Sequence, residues 1–352
     1  MKKLCYRALA VCSVFALILS VSACQNADNS IANDQVTLLA YDSFQISDET
    51  IAQIKSETGY ALNVITAGNA GELASRVILS AGEPEGDLVY GIDSLNTEKI
   101  TAASALADYN IGALPKLKSA VDAGFSKQLM PVDYGFVCVN ADKQYFADSE
   151  LALPDSLDKL AEPEYAARFV AINPTTSSPG RAFFIKTVDK YGENGWKDYW
   201  LKLKAGGVRI ASSWSDAYEV DYSVTAGGAY PLMVSYSTSP ADTVDDATNQ
   251  SKAVAIPETC TAQTEYAGVL KGAKNETGAN KVLEFLLQTD FQNSIGSEMY
   301  MYPVNADANV PADWEKFAPE PDSEYTKTNL STKTVSDNYD KWLEEWNELQ
   351  IG

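Results

Sequence analysis

The chain has 352 residues, 45% apolar and 21% charged: enough apolar material for about two buried cores, and too few charges for a disordered polyelectrolyte. Its 27 Lys and Arg against 48 Asp and Glu leave a formal charge of −21, a surface that repels phosphate backbones and argues against nucleic-acid binding. Histidine is absent, so imidazole bases, imidazole metal ligands and the Ser-His-Asp and Cys-His nucleophile systems are all excluded.

Lys2, Lys3 and Arg7 precede an apolar run over residues 8–21. The run is too short to span a bilayer and has the length of a signal-peptide core. It ends in Val21-Ser22-Ala23-Cys24, which resembles the bacterial lipobox. That resemblance implies a signal peptide over 1–23 and a lipid on the Cys24 thiol, anchoring the chain at the outer face of the membrane or facing the periplasm. The alternative is an ordinary secretory signal with a coincident cysteine. Residues 24–35 are polar and read as a flexible tether. Cys138 and Cys260 remain. Cys138 sits in an apolar run and is expected to be a small buried hydrophobe; its pairing with Cys260 is open.

Strand and helix patterns then alternate. Residues 36–41 are rich in β-formers. Residues 48–58 have helical spacing at Ile51 and Ile54 and stop at Gly59. Strands follow at 61–65 and 87–91, flanking a helix over 72–81 with Leu73, Val77 and Ile78 on one face. Repeated β-α-β units of this length predict a parallel sheet covered by helices. Further strands are expected at 136–140, 207–211 and 232–236. Helices are expected at 182–190, closed by Tyr191-Gly192, and at 279–287. Tyr339, Trp342, Leu343, Trp346 and Leu349 recur at helical spacing, predicting a C-terminal helix that docks an aromatic stripe. Two α/β lobes form a cleft that receives strand carboxyl ends and helix N-termini, which suits a hinged capture protein.

Seven segments carry a resemblance to a known family. They are Tyr41-Asp42-Ser43-Phe44, Asp87-Leu88-Val89-Tyr90-Gly91-Ile92-Asp93, Pro131-Val132-Asp133-Tyr134-Gly135 and Asn173-Pro174-Thr175-Thr176-Ser177-Ser178-Pro179-Gly180, followed by Ser213-Trp214-Ser215-Asp216-Ala217-Tyr218, Ser235-Tyr236-Ser237-Thr238-Ser239-Pro240-Ala241 and Met301-Tyr302-Pro303-Val304. In this order they resemble the thiamine-binding proteins of bacterial ABC importers, within the type II periplasmic-binding-protein superfamily. The resemblance implies an α/β, two-lobed fold, each lobe a mainly parallel sheet flanked by helices, with two interlobe crossovers. It places 36–134 and 261–306 in one lobe, and 135–260 and 307–352 in the other. It also implies a monomer that transports rather than catalyses, without cofactor or metal, and that delivers thiamine or a thiamine phosphate to the transmembrane subunits of a permease.

Thiamine is a flat aminopyrimidine joined to a permanently cationic thiazolium, ending in a hydroxyethyl arm or its phosphate. Its receptor needs aromatic faces, carboxylates, and N–H donors for a phosphate. Ser178 suits a helix N-cap and Pro179 the first helical position, and free N–H groups there bind anions. Ser177, Ser178 and Gly180 are therefore either capping residues or phosphate ligands; the resemblance matches Ser177 to a phosphate-contacting serine. Ser213 and Asp216 form a capping-box pattern that leaves Trp214 unexplained. By the resemblance Trp214 lines the cleft, with Tyr218 in the same segment.

Tyr41, Asp42 and Ser43 follow the first strand, and Asp93 follows the third. Tyr41 matches a position at the phosphate end, while Asp42 and Ser43 equally suit a turn before the next helix. Tyr236 ends another strand and matches a ligand-contacting tyrosine. Asp133 and Tyr134 fall at the first crossover and are assigned to the hinge. The chain departs from the family in three places. Asp242 replaces a tyrosine, Tyr300 replaces a tryptophan, and Gly68-Asn69-Ala70 replaces Glu-Asp-Gly. Asp242 removes a stacking face and adds a charge, which suits a cationic ring or another cationic solute. The rivals are a polyamine or ferric-iron-complex binder on the same fold, and a secreted carboxylate-based hydrolase.

Overall fold

The computed structural model describes residues 34–118, 121 and 126–350. The signal peptide, Cys24 and the tether up to residue 33 lie outside them. Strands Gln35–Ala40 (β1), Ala61–Thr66 (β2) and Leu88–Asp93 (β3) alternate with helices Asp48–Thr58 (α1) and Ala70–Leu79 (α2). Each helix start is written in its sequence. Ser47 caps α1 by accepting from the Thr50 N–H. Asn69 and Glu72 form a complete capping box on α2, so the departure at Gly68-Asn69-Ala70 builds a helix start.

The chain continues through Met130–Asp142 (β4), Phe169–Ile172 (β5), Ser178–Gly206 (α3), Arg209–Ala211 (β6), Leu232–Tyr236 (β7) and Ala253–Val269 (β8). It closes with Glu276–Phe285 (α4), Thr289–Glu298 (α5), Tyr302–Pro303 (β9) and Thr332–Glu348 (α6). One sheet has the order β2-β1-β3-β8-β4-β7-β5-β6, with β9 also on β4. β1 is parallel to β2 and β3, and β5 is parallel to β6 and β7. Between these two parallel groups run the long strands β4 and β8, antiparallel to each other.

Two hydrophobic cores result. The first gathers β1, β2 and β3 with α1, α2, α4 and α5; the second gathers β5, β6 and β7 with α3 and α6. β4 and β8 feed both cores. Met130 and Val132 enter the first and Val139 and Ala141 the second; Tyr266 and Val269 enter the first and Ala253 and Ile256 the second. Tyr339, Trp342 and Trp346 of α6 are buried in the second core as the stripe predicts. Among the described residues, no helix is long and apolar enough to cross a membrane.

Several expectations need correction. The helix expected to close at Tyr191-Gly192 kinks there instead, with Gly192 at φ 71°, ψ 174°, and resumes to Gly206. Gly207 caps it, so the strand expected over 207–211 is only Arg209–Ala211. The N-cap of α3 is Ser177, one residue earlier than expected, and Pro179 stands second in the helix. Cys138 is buried as expected but is not a free thiol: it is bonded to Cys260, joining β4 to β8.

Candidate functional site

The strands set the site. β1, β5, β6 and β7 all direct their carboxyl ends toward a single cavity of about 780 Å³, the position where open α/β sheets bind ligands. Tyr41, Asp42 and Ser43 line it after β1, Ser177 and Ser178 at the start of α3, Trp214 and Tyr218 after β6, Tyr236 at the end of β7 and Asp242 beyond it. Tyr300, after α5, completes the set.

Trp214 stands at the start of the helical turn Trp214–Asp216, capped by the Ser213 side chain, which accepts from the Asp216 N–H at 3.0 Å. The Asp216 carboxylate accepts from the Ser212 hydroxyl. The Trp214 indole stacks on Tyr218, with centroids 4.5 Å apart and planes 16° apart, and its Nε1–H donates to Ser235 Oγ at 2.9 Å. Both the plane and the tilt of the indole are therefore held. The Tyr218 hydroxyl donates to Asp242 Oδ2 at 2.6 Å. Tyr300 also hydrogen-bonds Asp242; burial first, and then that carboxylate, push its hydroxyl up to about 12. The two departures from the family pattern thus meet each other. Tyr300 sits at φ 52°, a left-handed conformation costing a non-glycine residue about 1–3 kcal/mol, as functional sites often retain.

The floor is buried. The Tyr41 hydroxyl donates to Glu265 Oε2 at 2.8 Å, and Gln263 Nε2 donates to the Tyr236 hydroxyl at 3.3 Å and to Glu265 Oε1 at 3.4 Å. Gly91 makes room for the Tyr41 ring: a Cβ there would lie 2.2 Å from it, and φ is 97°. Burial, followed by the Glu265 charge, raises the Tyr41 hydroxyl well above its ordinary range.

Some expected residues are not at the wall. Asp93 is 3% exposed and paired with Arg181 Nη1 at 3.0 Å. It also accepts from the Leu95 and Asn96 N–H groups and from the Ser178 hydroxyl. Its carboxylate is saturated by the protein and latches β3 to α3. The Gly180 N–H is bonded to Ser177 Oγ, and a Cβ on Gly180 would lie 2.6 Å from the Ile172 carbonyl oxygen. That glycine therefore permits close packing of α3 on β5 and offers no free donor. Asp133 and Tyr134, assigned to the hinge rather than the wall, lie within β4, bonded to the Tyr90 hydroxyl and to Glu320 respectively. Sequence reasoning missed Glu219, Glu265 and Glu298 at the wall. For Glu265 the available signal was a lone acid within an otherwise uncharged strand segment, 259–269.

With Asp42, Asp242, Glu219, Glu265 and Glu298 in the lining beside one basic residue, Lys252, the wall is predominantly acidic and carries one stacked aromatic pair. Such a surface suits a flat cation, while the α3 N-terminus offers a pole for a polar or anionic tail.

The fold and this cleft define a solute-binding protein of the type II periplasmic class, and the family matched below works outside the cytoplasm in transport rather than catalysis. Residues 87–329 match the bacterial extracellular solute-binding protein family, and the chain belongs to it. A thiamine-binding periplasmic protein of Brucella melitensis biotype 1 is 29% identical over 344 residues, covering 95% of this chain and 96% of that protein. One from Salmonella typhimurium is 27% identical over 324 residues, covering 90% and 94%. Among solved structures, a periplasmic thiamin binding protein superposes with a TM-score of 0.76 at 25% identity, covering 90% of this chain and 96% of that one. The apo ferric ion-binding protein A of Pasteurella haemolytica shares the fold, with a TM-score of 0.68 at 18% identity, covering 90% and 98%.

Proposed function

We propose that this chain captures thiamine or a thiamine phosphate in the cleft and delivers it to the transmembrane subunits of an ABC permease. The observation that carries the reading is the stacked Trp214–Tyr218 pair beside a carboxylate-rich wall. The indole face takes a ring of the ligand, the acids offset the thiazolium charge, and Ser177 and Ser178 at the α3 N-terminus receive the hydroxyethyl or phosphate end. A polyamine would use the acids and a cation–π contact but has no flat ring to stack on the indole. The relatives named for thiamine support the same choice.

In this reading the lobes are 36–134 with 261–306 and 135–260 with 307–352. They pivot where β4 and β8 pass between the cores, near Asp133 and Tyr134, and ligand contacts from both sides favour the closed arrangement. Cys24 carries the lipid that keeps the monomer at the membrane.

Trp214→Ala tests the site. Loss of a stacked face is expected to weaken thiamine binding by about 1–3 kcal/mol, by analogy with bases stacked on aromatic side chains. A dissociation constant equal to that of the unaltered chain would remove Trp214 from the site.

A further inference from the structure

The sheet register brings three acids into one row. Glu265 of β8 lies opposite Asp93 of β3 on one side and Asp133 of β4 on the other. Directly opposite residues share a face of the sheet, with Cβ atoms about 4.5–5.5 Å apart. All three are buried: Asp93 and Glu265 are 3% exposed and Asp133 is 0% exposed.

Their compensation is unequal. Asp93 is paired with Arg181 of α3. Among the described residues, neither Glu265 nor Asp133 makes a salt bridge with any Lys or Arg. The groups facing them are neutral hydroxyls and an amide: Tyr41 after β1, Tyr90 on β3, Tyr236 on β7 and Gln263 on β8. Asp133 Oδ1 and Gln263 Oε1 are buried without a hydrogen-bond partner among the described residues. Two adjacent carboxylates in a dry interior with no cation between them repel strongly, and retaining one proton relieves that repulsion. Burial acts in the same direction on both, holding each above the ordinary carboxylate range.

Glu265 lines the cavity, and its register partner Asp133 is fully buried and does not. We infer that Glu265 and Asp133 share one proton before ligand arrives, and that a cationic ligand in the cavity displaces it. The carboxylic acid gives its proton to solvent, keeps the electron pair as a carboxylate, and gains the ligand's positive charge as its partner. Net charge in the cleft is conserved: one cation enters and one proton leaves. This rests on the cationic-ligand reading of the cleft and adds to it. Glu265 becomes the residue that selects for charge, because a neutral analogue leaves the pair protonated and gains nothing from it.

The test is calorimetry of the full chain with thiamine at pH 7.5, in buffers of different ionisation enthalpy. The slope of heat against buffer enthalpy is expected to report release of about one proton per ligand. In the same protein the dissociation constant should rise up to about tenfold for each unit that pH falls below the titration of the pair, because binding and proton release are linked. Glu265→Gln should remove the buffer dependence. Asp133→Asn removes the neighbouring charge but leaves burial, the larger cause holding Glu265 protonated, so it should lower the pH above which proton release fades; that shift tests the pair if Glu265→Gln does not fold, and an unmoved pH would overturn the pairing. Thiamine binding with buffer-independent heat and pH-independent affinity overturns the proton exchange and leaves the thiamine reading standing. Undiminished proton release in a folded Glu265→Gln variant overturns the assignment to this pair. Failure of the folded chain to bind thiamine overturns both readings.

Discussion

Arg181→Met is expected to lower the unfolding free energy by about 3–5 kcal/mol, the range for leaving one partner of a buried ion pair without the other. Arg181 is 4% exposed and Asp93 3%, so water cannot replace the missing guanidinium. The same guanidinium donates from Nε to the Tyr339 hydroxyl at 3.0 Å, and that hydroxyl donates to the Pro174 carbonyl at 2.8 Å. One side chain therefore ties α3 to β3 of the first core and to α6 of the second. Because Ser178 is bonded to the stranded Asp93, the α3 N-terminus at the cavity should also shift, and ligand affinity should fall with stability. Adding Asp93→Asn to Arg181→Met removes the unpaired charge and should restore part of the loss. Urea unfolding of the single and double variants checks this. A single variant within about 1 kcal/mol of the parent, the scale of an exposed pair, would contradict the latch.

Removing the Cys138–Cys260 bond is the second large effect. The bond joins residues separated by 122 positions, and its loss frees a long loop in the unfolded chain, costing about 2–4 kcal/mol. The consequence is focused on the crossover strands, because β4 and β8 carry the chain between the cores and this bond crosslinks them. Cys138→Ala with Cys260→Ala should unfold at lower urea than the parent, and reductant should move the parent toward the variant. Coincident curves with and without reductant would show that the bond adds no stability. A disulfide also fits an extracytoplasmic, oxidising compartment.

What the sequence made legible was local. α1 and α2 announce themselves by caps and apolar spacing, α6 by an aromatic stripe, and β1 and β7 by β-branched and apolar runs. Because strand carboxyl ends converge in α/β folds, Tyr41 and Tyr236 were traceable to the cleft from their positions at strand ends, whereas Trp214 was placed there by the family resemblance. The long strand β8 was not legible. Its two ends pack into different cores, and its pairing with β4 shifts between Ile256 and Thr261, so no single alternation runs through it. With β8 unseen, Glu265 could not be placed opposite Asp133, nor Cys260 beside Cys138. Asp93 was misplaced for a related reason. Its position at the end of β3 is that of a ligand residue, but Arg181, 88 positions away, occupies its carboxylate. Gly180 follows a backbone contact with Ile172 that no local pattern encodes.

The central claim is that a stacked aromatic pair and an acidic wall select a flat heterocyclic cation. Calorimetric titration of the purified chain with thiamine, thiamine monophosphate, spermidine and ferric citrate tests it most directly. The account predicts saturable heat with thiamine or its monophosphate, and binding at least tenfold weaker for the other two. No heat with either thiamine form, beside strong binding of spermidine or ferric citrate, would contradict it.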